Sequence, residues 1–76
     1  MQAVIWSKDM CPYCERAKVL LKQKGIQYEE RKIGFGWNRE QLFEAVPTAK
    51  TVPQIFLDGK LIGGHDDLVK YFNEAK

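Results

Sequence analysis

The chain has 76 residues, 45% of them hydrophobic and 12% aromatic, which is material for one globular domain over residues 1–76 with a small core. Its 12 basic and 10 acidic residues are interleaved and sum to +2, so no basic stripe for nucleic acid is expected, and no apolar run is long enough for a membrane span. The amino terminus lacks a basic-then-apolar leader, so a reducing, cytoplasmic setting is expected for the two cysteines.

Ala3-Val4-Ile5-Trp6 is apolar at every position, the pattern of a strand covered on both faces, and is placed inside the sheet. A loop of Lys8, Asp9 and Met10 leads to Cys11-Pro12-Tyr13-Cys14. Tyr13, Ala17, Leu20 and Leu21 then recur at helical spacing, which predicts a helix from Pro12 to Lys24 with Gly25 as its stop. Ile26 to Ile33 mixes Tyr28 and Ile33 with charges, as an edge strand does, and should pair parallel to the first strand through the helix as a right-handed crossover.

Gly34-Phe35-Gly36 breaks the pattern. A short helix to about Val46 follows, with Asn38 as N-cap, Gln41 at the capping-box position and Trp37 stapled onto Leu42, unless Trp37 is instead an exposed anchor for a partner. After Pro47 and the Thr51-Val52-Pro53 turn, Gln54 to Leu57 and Lys60 to Ile62 form a hairpin about Asp58-Gly59. Gly63-Gly64 ends it, and Asp66 and Asp67 open a last helix with Leu68, Val69 and Phe72 on its apolar stripe. The expected architecture is α/β, in the order β-α-β-α-β-β-α, with a four-stranded mixed sheet and helices on both faces.

Two thiols separated by two residues, at a strand-to-helix junction in a βαβ pattern, read as a thioredoxin-like redox motif. Residues three apart on a helix lie about 5 to 6 Å from one another, within reach of a reversible disulfide. At the N-cap, Cys11 has unpaired helix N–H groups beneath its sulfur and the Lys8 cation upstream, which predicts a thiolate at neutral pH. Pro12 fits the first helical position, and Cys14, one turn inside, is suited to resolve a mixed disulfide on Cys11. Zinc would require more ligands than two cysteines and the distant His65 supply, so no metal is expected. Glu15 stands where c-type haem attachment requires histidine. A permanent disulfide remains as the plain alternative, although so small a loop contributes little stability.

The three motifs together, Lys8 with Cys11-Pro12-Tyr13-Cys14, Thr51-Val52-Pro53, and Gly63-Gly64-His65-Asp66-Asp67, resemble the glutaredoxin family over essentially the whole chain. Cys14 places the resemblance with the dithiol branch, and Pro-Tyr between the cysteines sets the chain apart from the Cys-Gly-Pro-Cys of thioredoxins. The resemblance implies a thioredoxin-like fold and a cis bond before Pro53. Glutathione is then the co-substrate, with no tightly bound cofactor. Cys11 and Cys14 would be catalytic, with glutathione contacts from Lys8, Tyr13, Lys50, Thr51, Val52, Pro53, Gly64, His65 and Asp66. Val52 would pair with the peptide backbone, Lys8 and Lys50 with the glycine carboxylate, and the Gly64-His65-Asp66 turn with the γ-glutamyl end. For Tyr13 a core role is the rival reading, and for Asp66 a simple helix-start role. His65 departs from the family pattern, where cysteine is common, and brings a predicted pH dependence.

The implied activity is reduction of protein disulfides and glutathione mixed disulfides by a monomer, with ribonucleotide reductase as one candidate acceptor that no residue selects. Two rivals stay open. One is a thioredoxin-type reductase recycled by a flavin enzyme, and the other a module holding an iron-sulfur cluster between two copies through Cys11 and glutathione.

Overall fold

A computed structural model describes residues 1–74, in which β1 (Gln2–Ser7), α1 (Pro12–Gln23), β2 (Gln27–Lys32), α2 (Arg39–Ala45), β3 (Gln54–Leu57), β4 (Lys60–Gly63) and α3 (His65–Glu74) follow in the expected order. The sheet runs β2-β1-β3-β4, with β1 parallel to β2 and antiparallel to β3, and β3 antiparallel to β4. The uniformly apolar β1 is therefore interior, and the charged β2 is an edge. Side-chain alternation along β1 feeds two cores. Ala3 and Ile5 meet Ala17, Leu21, Ile55, Leu57 and Leu68 on the α1/α3 face. Trp6, with Val4 packed beside it, meets Leu42, Val46 and Ala49 on the α2 face, so helices cover both faces.

Each boundary has a local cause. α1 ends where the Ile26 N–H reaches the Leu21 carbonyl and the Gly25 N–H that of Lys22, both at 3.0 Å, with Gly25 at φ +69. This is the Schellman arrangement, which glycine adopts without a Cβ penalty. α2 opens on the expected capping box, Asn38 and Gln41 exchanging bonds of 2.8 and 2.9 Å. Trp37 packs in the Leu42 cluster and lies edge-on to Trp6 at 5.3 Å, which favours the staple over the free anchor. The hairpin turns through Asp58 and Gly59, both at positive φ, as a two-residue turn of this kind requires.

The rival reading of Tyr13 as core is set aside: although it matches the helical spacing, it is 54% exposed, and Cys14, Ala17 and Leu21 are the buried residues of that helix. A thiol is small enough to lie flat against the sheet, and its burial turns the preceding aromatic ring outward. The charges on β2 also do more than guard an edge. Arg31 lies over both Trp6 and Trp37, 5.3 and 4.5 Å from the ring centres, while Glu30 faces α1. The core under α1 should be sensitive to truncation: Leu21→Ala is expected to lower unfolding free energy by about 2 to 5 kcal/mol in urea titration.

Candidate redox site

Cys11 stands at the end of the loop that leaves β1, in extended conformation (φ −118, ψ 97), as the N-cap of α1. Its sulfur does what a serine oxygen does at that position: Sγ accepts the Cys14 N–H at 3.3 Å. Pro12 at the first helical position removes one N–H that would otherwise need a partner. The same sulfur lies 3.8 Å from the Val52 carbonyl, to which its S–H donates, and the Val52-Pro53 peptide is cis. Both cysteines are free thiols.

The pair is asymmetric. Both are buried, Cys11 8% and Cys14 1% exposed, and for Cys14 burial first, then its hydrogen bond with Cys11, pushes the thiol up to about 12. It therefore keeps its proton at neutral pH. One turn further along α1, the Lys18 ammonium opposes this rise. Lys18 is itself held by Glu30 and Glu15, each at 3.0 Å, and those bonds outweigh its burial and raise its pKa. Glu30 in turn accepts from the fully buried Ser7 hydroxyl at 2.7 Å, which leads the effects holding its carboxyl below the ordinary range. The end of β1, the edge strand β2 and the helix bearing both thiols are thus tied beneath Cys14 by one polar chain. Sequence reading missed it, because Ser7, Lys18 and Glu30 become neighbours only through the parallel pairing.

The expected ligand residues fall into two grooves that share Thr51 and Val52. One, of about 470 Å³, is lined by Lys8 and Lys50 together with Phe35, Arg39 and Phe43. The other, of about 500 Å³, is lined by Tyr13, Pro53, Gly64, His65 and Asp66. The Tyr13 and His65 rings are 5.6 Å apart across the second groove, and His65 Nδ1 is 3.2 Å from Asp66 Oδ1. The Gly64 N–H, expected to face a ligand, is corrected: it donates to the Asp67 carboxylate at 3.1 Å. Gly64 is the N-cap of α3, its carbonyl accepting the Leu68 N–H at 3.0 Å, and Asp67 is the N3 residue reaching back. The N–H groups at the first positions of α3, His65 and Asp66, are those a helix cannot satisfy internally. Asp67 is thus a site-shaping residue that sequence reading left as a simple helix-start charge. The signal was there in the three-residue spacing from Gly64 to Asp67.

This arrangement, a capped sulfur at a helix start with a shielded partner one turn away, is a dithiol redox centre. The sequence profile of the family described as Glutaredoxin matches residues 3–62. Glutaredoxin 3 of Escherichia coli K12 is 48% identical over 65 residues, covering 84% of this chain and 77% of that protein. The hybrid peroxiredoxin hyPrx5 of Haemophilus influenzae is 47% identical over 68 residues, 90% of this chain but 28% of that longer protein. Among solved structures, reduced E. coli glutaredoxin superposes with a TM-score of 0.81 at 38% identity, covering 97% of this chain and 95% of that one. A buckwheat glutaredoxin-glutathione complex gives 0.83 at 31% identity, covering 97% and 70%. The chain belongs to the glutaredoxin family, a family of thiol-disulfide oxidoreductases.

Two substitutions test the supports of the site. A Cβ on Gly63, at φ +122, would fall 2.3 Å from Asp67 Oδ2, so Gly63→Ala should displace that carboxylate. The expected loss is about 1 to 3 kcal/mol in denaturant titration. Glu30, with its depressed carboxyl, stabilises the fold above the ordinary carboxylate range and loses that contribution as pH falls through its folded value. Glu30→Gln should therefore cost on the order of 1 to 2 kcal/mol at pH 7. Its deficit relative to the unsubstituted protein should close in acid, below about pH 4.

Proposed function

We propose that this chain is a glutathione-dependent oxidoreductase that reduces glutathione mixed disulfides and protein disulfides through Cys11 and Cys14. One observation carries the division of roles: the Cys11 sulfur receives the Cys14 N–H at the helix start, while the Cys14 thiol is buried and pushed up to about 12. Cys11 is the attacking atom and Cys14 the reserve.

In deglutathionylation, the Cys11 thiolate attacks the glutathione sulfur of a mixed disulfide. A Cys11–glutathione disulfide forms, and the substrate leaves as a thiolate that takes up a proton. The thiolate of a second glutathione then attacks that glutathione sulfur, releasing oxidised glutathione and restoring Cys11. With a protein disulfide, the Cys11 thiolate attacks one substrate sulfur, the other leaves as a thiolate that takes up a proton, and a Cys11–substrate mixed disulfide remains. Cys14 then loses its proton and attacks Cys11 Sγ, so that the second substrate thiol leaves and the Cys11–Cys14 disulfide remains for glutathione to reduce.

The two grooves support a placement for the tripeptide. Its cysteine residue lies along Val52, pairing backbone to backbone as an added strand does. Lys8 and Lys50 in the first groove hold the glycine carboxylate. The first N–H groups of α3 at His65 and Asp66 take the γ-glutamyl carboxylate, and the Asp66 side chain its ammonium. Tyr13, Thr51 and Pro53 wall the sulfur. The glutathione bound in the buckwheat structure supports this reading. We further propose a monomer acting in the cytoplasm, with ribonucleotide reductase among its acceptors on family resemblance.

The test is turnover of a glutathionylated small thiol and of a protein disulfide, with glutathione as reductant. Cys11→Ser should abolish both activities, whereas Cys14→Ser should retain the first and lose the second. Loss of the first in Cys14→Ser would point instead to a thioredoxin-type cycle. Lys8→Ala, which would remove the proposed contact with the glycine carboxylate of glutathione, should raise KM for glutathione by up to roughly fivefold with little change in kcat.

A further inference from the structure

The loop that carries Cys11 out of β1 holds a residue that neither the fold nor the proposed glutathione placement accounts for. Met10 stands directly before the nucleophile with its side chain 98% exposed, more than any other large apolar residue described. Its backbone is also in the left-handed region, at φ +55. The only other described non-glycine residue there is Asp58, whose short carboxylate side chain and hairpin turn suit that conformation. Methionine has no such local compensation, and glycine or asparagine would hold the turn at lower cost.

The strain is held from both sides. Before Met10, the Ser7 carbonyl accepts the Ile33 N–H at 2.9 Å, and the Asp9 carboxylate pairs with the Lys32 ammonium at 2.6 Å. After it, Cys11 is fixed as the N-cap of α1, its carbonyl accepting the Glu15 N–H at 3.2 Å. A strained residue persists only where its neighbours over-determine it, and such residues cluster at functional sites. Access to the sulfur gives this one a task. Cys11 is 8% exposed, so a substrate sulfur that reaches it brings the flanking substrate chain against whatever projects from the loop, and Met10 is the adjoining residue. Met10 lines neither groove, so glutathione placed as above leaves it uncovered.

We propose that Met10 is a specificity-determining residue for protein substrates, its thioether packing against an apolar side chain beside the substrate's reactive cysteine. This rests on the oxidoreductase reading above and names the substrate class of that site. An unbranched, polarisable side chain with several rotatable bonds fits apolar partners of different shapes, and its sulfur adds a contact to an aromatic ring. The neighbours Lys8 and Asp9 offer no such surface: one is given to the glycine carboxylate and the other is paired with Lys32. Small disulfides, which have no flanking side chain, gain nothing from Met10. The chemistry at Cys11 is the mixed-disulfide exchange already described.

The test uses two peptides, each carrying one cysteine in mixed disulfide with glutathione and flanked either by Phe or by Ser, with cysteine-glutathione disulfide as the small reference. The Phe peptide should be preferred in kcat/KM by roughly fivefold. The preference should persist at high salt, since an apolar contact is not screened. Met10→Ser should remove most of it and Met10→Leu should keep most of it, each rate being taken relative to the small reference. Met10→Gly suits the left-handed backbone and should unfold in urea no earlier than the unsubstituted protein while losing the same preference, which separates lost selectivity from lost structure. Equal use of the two peptides by the unsubstituted protein, a preference that survives in Met10→Ser, or losses shared equally by the small reference would overturn the proposal. The chain has two methionines, so selective 13C-methyl labelling reads docking without turnover. On titration with the Phe peptide, its cysteine replaced by serine, the Met10 methyl signal should shift, and that of Met1, at the opposite end of β1 from Cys11, should not. An unmoved Met10 signal would refute the contact. An enzyme inactive on the small reference would fail the oxidoreductase reading, while this titration would still decide the role of Met10.

Discussion

The bond on which this structure turns is the one from the Cys14 N–H to the Cys11 sulfur at 3.3 Å. It makes a thiol serve as a helix cap, a place ordinarily taken by a side-chain oxygen, and so joins the stability of α1 to the chemistry of the motif. A cap is a position where the helix already favours negative charge, because its first N–H groups have no partners of their own. The same geometry sends the second thiol inward, where burial keeps it protonated. Two identical side chains acquire different roles from a single turn of helix.

The rest of the fold holds that turn in place. β1 is apolar at each alternating position because it is sandwiched between the α1/α3 core and the α2 core, and it delivers the loop with Cys11 at its carboxyl end. Ser7, the last residue of β1, starts the hydrogen-bond chain through Glu30 to Lys18, which fixes α1 against the edge strand at the level of Cys14. On the far side, Asp67 closes on Gly64, so the first turn of α3 faces the groove with a fixed backbone. Val52 sits between the grooves, its carbonyl 3.8 Å from the Cys11 sulfur. Four separate segments converge on a sulfur that none of them could position alone.

Much of this was legible because local signals and tertiary outcome agree. The unbroken apolar run of β1, the capping box at Asn38 and Gln41, the Asp58-Gly59 hairpin and the Gly25 stop each state a backbone conformation, and each is found. The Cys11 N-cap was readable for the same reason. What escaped was set by partners distant in sequence. Tyr13 matched the helical period but lost its inner place to Cys14, since periodicity cannot tell which of two neighbouring residues the sheet will admit. Glu30 and Arg31 resembled the charge guard of an edge strand, and only the pairing of β2 with β1 brings one to Lys18 and the other over two indole rings.

The most direct measurement of the division between the two sulfurs is competitive alkylation of the fully reduced protein at neutral pH with limiting iodoacetamide, the labelled site being read by peptide mass spectrometry. The structure predicts modification at Cys11, with Cys14 unlabelled until the chain is denatured. Labelling of Cys14 as fast as Cys11 in the folded protein would contradict the account.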